Sequence, residues 1–277
     1  PTTGFYVTEL NADIRAAKNR IHLLNLNLRQ KSTTLQTNAL HITLPNKREG
    51  RKLTLSSQKI SGSVLPKDIA RAFAPALQNF SIPLNVQSGL EVGQEGIRLK
   101  NIRITTSDHL LDISAWGNLT HLTKAEKEQL NLHFHVNHMQ ARGNIKERII
   151  NQFAVKKLMM NQLHQLGNLR YQGDFYILWK RQRFLGTLQT APGPIQIDFT
   201  IDNRTKYING QASTVGFHLG QALEVEKVGD VSCKASFKVD ISKPRTRKLR
   251  RESGGKLPIG NVKARIDDFT YNKVHLR

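Results

Sequence analysis

The sequence predicts a mainly β chain: an elongated, curled antiparallel or mixed β-sheet, open as a taco-like groove, with two helices at about 66–77 and 144–166. Three observations carry this. Apolar and polar residues alternate in run after run, the period of strands whose side chains project to opposite faces. Turn-forming residues punctuate the runs at short intervals. Only two segments keep the 3.6-residue period of an amphipathic helix.

The runs follow in order. Leu24, Leu26 and Leu28 alternate with Asn25 and Asn27, and Leu53 and Leu55 with Thr54 and Ser56. Leu84 and Val86 follow Pro83. Ile97 and Leu99 alternate with Arg98 and Lys100, then Ile102 and Ile104 continue on the other parity, which predicts a bulge or turn near Asn101. Leu132, Phe134 and Val136 interleave with His133 and His135. Ile195, Ile197, Phe199 and Ile201 form another run, and Val231 to Ile241, with Phe237 and Val239, the longest. Turn signals such as Gly117-Asn118, Pro192-Gly193-Pro194 and Asn209-Gly210 separate them. This predicts roughly a dozen to eighteen strands, about 10–15 residues apart.

The first helix starts at Pro66, with Asp68 in its first turn where the helix dipole favours a carboxylate, and Pro75 ends it early. The second starts at Asn144 and Glu147, a capping-box pattern. It carries an apolar stripe of Ile145, Ile149, Phe153, Met160 and Leu163 and ends at Gly167. Its stripe packs on the sheet or rests on a membrane surface. The whole chain reads as one continuous groove segment, 1–277, with a sub-boundary near the 144–167 helix. Both ends read as strands, so the chain is expected to be an internal slice of a longer protein.

Lys and Arg number 42 against 21 Asp and Glu, a net charge of +21. Such a balance points to an anionic partner: nucleic acid, phospholipid headgroups or an acidic protein. The densest run holds Lys243, Arg245, Arg247, Lys248, Arg250 and Arg251, the candidate contacts for such a partner. Aromatic residues make up only 6%, and no basic–aromatic stacking module is present, so nucleic acid is not expected. The single Cys233 excludes an internal disulfide or a Cys-based zinc site. No apolar stretch reaches the ~18 residues of a membrane helix.

No catalytic set is present, and no cofactor or metal is expected. His133, His135 and His138 lack acidic or Cys neighbours in sequence and read as polar residues on a wet strand face. Asp108-His109 and Asp112 have no nucleophile motif beside them. Gly93-Gln94-Glu95-Gly96 lacks the Lys-Ser/Thr of a phosphate loop.

Several stretches together resemble the TamB branch of the AsmA-like superfamily, in its Bacteroidota form. They are Leu65-Pro66-Lys67-Asp68-Ile69 running to Phe73-Ala74-Pro75-Ala76-Leu77; Ile82 to Val86 leading into Gly96–Ile104; and Leu166-Gly167-Asn168-Leu169-Arg170-Tyr171-Gln172-Gly173-Asp174-Phe175. Tyr207–Thr214 with Phe217–Leu223 and Val228–Ser232, then Ile266–Leu276, complete the order. The similarity covers most of 60–277; the basic run 243–251 departs from it. The resemblance implies an N-terminal inner-membrane anchor, a β-groove crossing the periplasm, and an outer-membrane barrel of the Omp85 class as partner. Both the anchor and the barrel contact are expected to lie outside this chain. It implies carriage of phospholipid between the membranes. The alternative is assembly and translocation of outer-membrane proteins and autotransporters.

An aliphatic groove shelters acyl chains at about 0.8 kcal/mol per buried CH₂. The candidate lining is Leu24, Leu26, Leu28, Leu53, Leu55, Leu84, Val86, Ile97, Leu99, Ile102, Ile104, Leu132, Phe134, Val136, Ile195, Ile197, Phe199, Ile201, Phe237 and Val239. The same residues would equally line a closed sandwich core. Other classes stay open: a scaffold offering strand edges to unfolded barrel proteins, and a basic surface binding acidic polymer.

Overall fold

A computed structural model describes residues 7–276 except 47, 49, 51, 74–76, 123–126, 153–162 and 243–258. The basic run 243–251 and the centre of the predicted 144–166 helix therefore lie outside the described residues. The described residues form fifteen strands: β1 (Glu9–Ala17), β2 (Arg20–Gln30), β3 (Thr33–Thr43), β4 (Thr54–Val64), β5 (Leu84–Gly93), β6 (Gly96–Thr105), β7 (Leu111–Thr120) and β8 (Asn131–Ala141). They continue as β9 (Leu169–Leu178), β10 (Arg181–Gln189), β11 (Pro194–Asp202), β12 (Tyr207–His218), β13 (Val228–Asp240), β14 (Ile259–Tyr271) and β15 (Val274–Leu276). All belong to one sheet in chain order, antiparallel throughout and not closed into a barrel. Short connections make this the expected arrangement, because antiparallel neighbours can be joined by tight turns.

The meander sorts its connections between two rims. Turns after odd-numbered strands form one rim, and those after even-numbered strands the other. Among the described residues the α-helices follow even-numbered strands, α1 (Pro66–Phe73) after β4, α2 (Ile145–Ile150) after β8 and α3 (Leu219–Leu223) after β12, and a single 3₁₀ turn (Lys127–Gln129) follows β7. One rim is thus helical, with four strands between successive helices.

The sealed core sits under that rim. Phe80, Ile82, Leu111, Ala141 and Ile145 are buried together, with Leu77, Leu84, Ile113, Met139, Ile149 and Leu169 against them. Each such side chain contributes about 1.5–3 kcal/mol when fully buried. Polar bonds fasten α1 beside it: Gln30, 1% exposed, donates from Nε2 to the Asp68 carbonyl at 3.2 Å. The Leu65 N–H donates to Thr33 Oγ1 at 3.0 Å.

The helices depart from expectation in detail. The first runs over Pro66–Phe73; residues 74–76, where the expected early stop at Pro75 falls, lie outside the described residues. Asn144 makes no side-chain cap bond, so the capping box does not form; Glu147 Oε1 lies 2.9 Å from Lys146 Nζ instead. Gly167 has the left-handed φ of +61° expected of a helix end.

Bulges interrupt the ladder where the sequence switches parity. Leu99 pairs with Gly117 but Ile102 with Ala115, an extra residue on β6 at Asn101, whose φ is +50°. β4 and β8 carry similar insertions, at 58–59 and 137–138. Each bends its strand and adds twist.

Candidate lipid-binding face

Directly paired residues of antiparallel neighbours share a face, so the registers trace rows across the sheet. One row runs Leu90, Leu99, Gly117, Phe134, Phe175, Phe184, Phe199, Gly210, Phe237 and Val262. Towards the helix-bearing rim follow Ile102, Ala115, Val136, Gly173, Gly186, Ile197, Ala212, Ala235 and Ala264. Beyond them lie Val86, Ile104, Ile113, Met139, Tyr171, Leu188, Ile195, Thr214 and Cys233. Towards the other rim run Ile21, Ile42, Leu55, Val92, Ile97, Leu119, Leu132, Ile177, Gln182, Ile201, Ile208 and Val239. None of these paired positions holds Asp, Glu, Lys, Arg or His.

This face is not the inside of a closed sandwich. A second sheet at about 10 Å would seal its centre, yet Phe134, Phe175, Phe184, Ile197 and Phe199 stay only half-buried, and all strands belong to the single sheet. Across β4–β8 the face encloses a concavity of about 440 Å³. Its lining is Ile60, Val86, Leu90, Leu99, Ile102, Ile104, Ile113, Ala115, Phe134 and Val136, with Gln87 and Ser88 the polar exceptions.

Farther along, rings stack into a ladder. Phe175 and Phe184 lie 4.6 Å apart between centroids, and Phe184 and Phe199 4.9 Å. Beside it Gly173 faces Gly186, both at φ +155°. A Cβ on Gly173 would meet the Leu185 carbonyl oxygen at 2.2 Å, so only glycine lets the strands approach there. Tyr171 covers the gap, its hydroxyl donating to the Leu185 carbonyl at 3.0 Å. Burial, then the charge of Asp174, pushes that hydroxyl up to about 12, which keeps it a donor.

Most predicted lining residues fall on this face: Leu26, Leu28, Leu55, Val86, Ile97, Leu99, Ile102, Ile104, Leu132, Phe134, Val136, Ile195, Ile197, Phe199, Ile201, Phe237 and Val239. Leu84 shares it but packs into the core under the helices. Two do not join them. Leu24 sits at a bulge, paired with Asp13 and Ala39 and off the apolar parity, because β2 holds an extra residue against β1 there. Leu53 precedes β4 and is 44% exposed. Phe175, Phe184, Ile177 and Leu188 were missed. Their signal, alternation through Phe184-x-Gly186-x-Leu188, is blurred by the glycine at an inward position.

The opposite face is charged and paired. Asp174 Oδ1 lies 2.7 Å from His133 Nε2 and 2.9 Å from His135 Nδ1. Burial raises Asp174, but the hydrogen bonds from His133 and His135 outweigh it and hold the carboxyl below its ordinary value. Trp116 stacks on His135 and His133 on Tyr176. Thus His133 and His135 do share a wet face, but with an acidic neighbour from β9 that the sequence spacing hid. His138 falls at the β8 bulge, away from the pair. No group of metal-ligating geometry occurs among the described residues. Arg183 grips Asp198 with two bonds, at 2.9 and 2.7 Å, lowering the carboxyl and raising the guanidinium.

Comparison of the chain with protein-family models, curated proteins and solved structures finds no match.

Proposed function

We propose that this chain is a segment of a periplasm-spanning protein of the TamB kind, anchored in the inner membrane. Its apolar face carries phospholipid acyl chains towards the outer membrane. The observation that carries the reading is an uncharged, half-exposed face running across the sheet and hollowed over β4–β8. Water against so much aliphatic surface is unfavourable, and an acyl chain laid along it removes that cost at about 0.8 kcal/mol per CH₂. The motif resemblance is the ground for the compartment and the phospholipid in this reading, and the apolar face is the ground for where the chain would lie. No reacting group is required of the protein, and we read it as a carrier rather than an enzyme.

A photo-crosslinking amino acid at Ile102 tests this. It should capture acyl chains when the protein is incubated with vesicles, whereas one at Asn118, on the opposite face, should not. Equal capture at the two positions would reject the carrier reading.

A second reading, a scaffold for unfolded outer-membrane proteins, draws on the sheet edges. β1 exposes Leu10 (59%) and Ile14 (68%). β15 covers only Phe269–Tyr271 on the outer edge of β14, whose other edge is paired with β13, so the rest of that outer edge has no partner strand among the described residues. An exposed edge is a template for strand addition. Crosslinks from β1 or β14 to nascent barrel strands, with none to lipid at Ile102, would favour it.

A further inference from the structure

The +21 charge is not spread evenly between the two rims. The rim of even-numbered turns carries the helices, and its charges are partly balanced, five carboxylates standing against eight cations among the described residues. Lys146 pairs with Glu147 and Arg148 with Asp108, and Asp68, Glu224 and Glu226 offset others. The rim of odd-numbered turns differs. None of the described α-helices lies on it, only the 3₁₀ turn Lys127–Gln129. Its described turns present Lys18, Arg20, Lys52, Lys180, Arg204 and Lys206, none of them in an ion pair among the described residues. Arg181 is paired to Asp202 at 3.1 Å. Few acidic groups oppose them among the described residues: Glu95, Glu128, Asp240 and Asp202, the last held by Arg181 and by the Arg204 and Thr205 N–H groups.

These cations sit beside the outermost apolar row. Lys18 and Arg20 flank the turn next to Ile21, Lys180 lies between Ile177 and Gln182, and Arg204 and Lys206 lie between Ile201 and Ile208. Residues on a strand are spaced by about 3.4 Å, so each charge stands within roughly 10 Å of that row, inside the reach of a Lys or Arg stem.

We infer that the odd-turn rim holds the phosphate of an anionic lipid headgroup while the acyl chain lies on the apolar face. This rests on the carrier reading above and adds an orientation and a preference to it. The headgroup rides along the odd-turn rim, because the sealed core under α2 blocks the other. A net-negative headgroup is held over a zwitterionic one, because its charge finds cations outside any described ion pair and few competing carboxylates. A flat polyanion surface fits less well. The charges line an edge one turn wide, and the neighbouring side chains are aliphatic rather than aromatic stacking partners.

The test is fluorescence titration of the chain with acyl-labelled phosphatidylglycerol and phosphatidylcholine, at low and at physiological salt. The first variant is Lys180→Gln/Arg204→Gln/Lys206→Gln. The control removes three charges from the opposite face of the same region, Arg170→Gln/Lys234→Gln/Lys263→Gln. Phosphatidylglycerol should bind the original protein more tightly, by roughly tenfold or more at low salt. The rim variant should lose that preference and keep its phosphatidylcholine affinity. Inorganic phosphate at millimolar levels should not displace the lipid, since the acyl chain supplies most of the binding. Equal affinity for both lipids, or the same loss in the control, overturns the headgroup assignment and leaves the carrier reading standing. Failure to bind either lipid overturns both.

Discussion

Replacing Ile102 with aspartate places a charge on the floor of the concavity, where Ile102 pairs with Ala115. The cost to folding is bounded because the position is half-buried. The lost aliphatic contact amounts to about 1–1.5 kcal/mol, half of a full burial, and the new carboxylate keeps access to water. A bound acyl chain changes that balance. Covering the carboxylate takes it out of water at several kcal/mol, while each methylene that steers around it forfeits about 0.8 kcal/mol. Either route costs about 3–4 kcal/mol, a loss of roughly 150- to 1,000-fold in affinity. Asn118→Asp is the matched control, on the opposite face between Arg98 and His133. Titration with an acyl-labelled phospholipid, beside urea unfolding of all three proteins, reads both effects. An Ile102→Asp protein that folds and binds the probe within twofold of the original refutes the placement of the acyl chain.

Asp108 ties the β6–β7 turn to α2, accepting from Thr106 Oγ1 at 2.5 Å, Arg148 Nη1 at 2.6 Å and the Leu110 N–H at 3.1 Å. The Thr106 hydroxyl first, then Arg148 and Leu110, hold its carboxyl down to about 2 from 3.8. Its folded value lies below its unfolded one. Its contribution is therefore complete above about pH 4 and is lost as pH falls towards 2. With the pair more than a third exposed, screening keeps it to about 1 kcal/mol, and Asp108→Asn should flatten the urea midpoint across that window. Phe184→Ala removes both stacked neighbours of the ring and should lower unfolding free energy by about 2–3 kcal/mol, less than a fully buried ring would cost. Gly173→Val sets a Cβ against the Leu185 carbonyl at a backbone angle that β-branched residues avoid. It should abolish soluble expression or lower the melting temperature by many degrees, while Gly50→Ala, with open space around it, should express normally despite its φ of +65°.

The strands were legible because a half-exposed sheet leaves its alternation intact: one parity faces the groove, the other the wet outer side. The bulge at Asn101 could be read from Leu99 giving way to Ile102. The bulge at Asn25 could not, because leucines at 24, 26 and 28 continue the pattern straight through it. Other features depended on contacts between distant strands. Asp174 reaches His133 and His135 from β9, and the Phe ladder needs four strands in register. The hexapeptides 99–104 and 271–276 look alike yet differ in structure. The first is a bulged strand. The second is a hairpin turn, with Asn272 at φ +48° and Lys273 at +67°. Short-range pattern does not separate these, because a pair of left-handed residues and a single bulged one leave the same apolar spacing.

The helices do not account for the apolar face. Their described lengths of 8, 6 and 5 residues amount to roughly 12, 9 and 8 Å at 1.5 Å per residue. The fifteen strands extend roughly 67 Å at about 4.8 Å each. The described helices at one rim therefore cannot roof such a face, whose central rows are only half-buried. A strand position open to water tolerates Lys, Thr or Glu at little cost to stability, as the exposed opposite face demonstrates with Arg183, Asp198 and Lys234. Folding by itself thus gives no reason for charge to be missing from row after row on one side only. Something that covers those rows and penalises charge does give one, and an acyl chain lying across the strands has that property. The same reasoning places the cations where they are found, at the rim where such a chain would meet its headgroup.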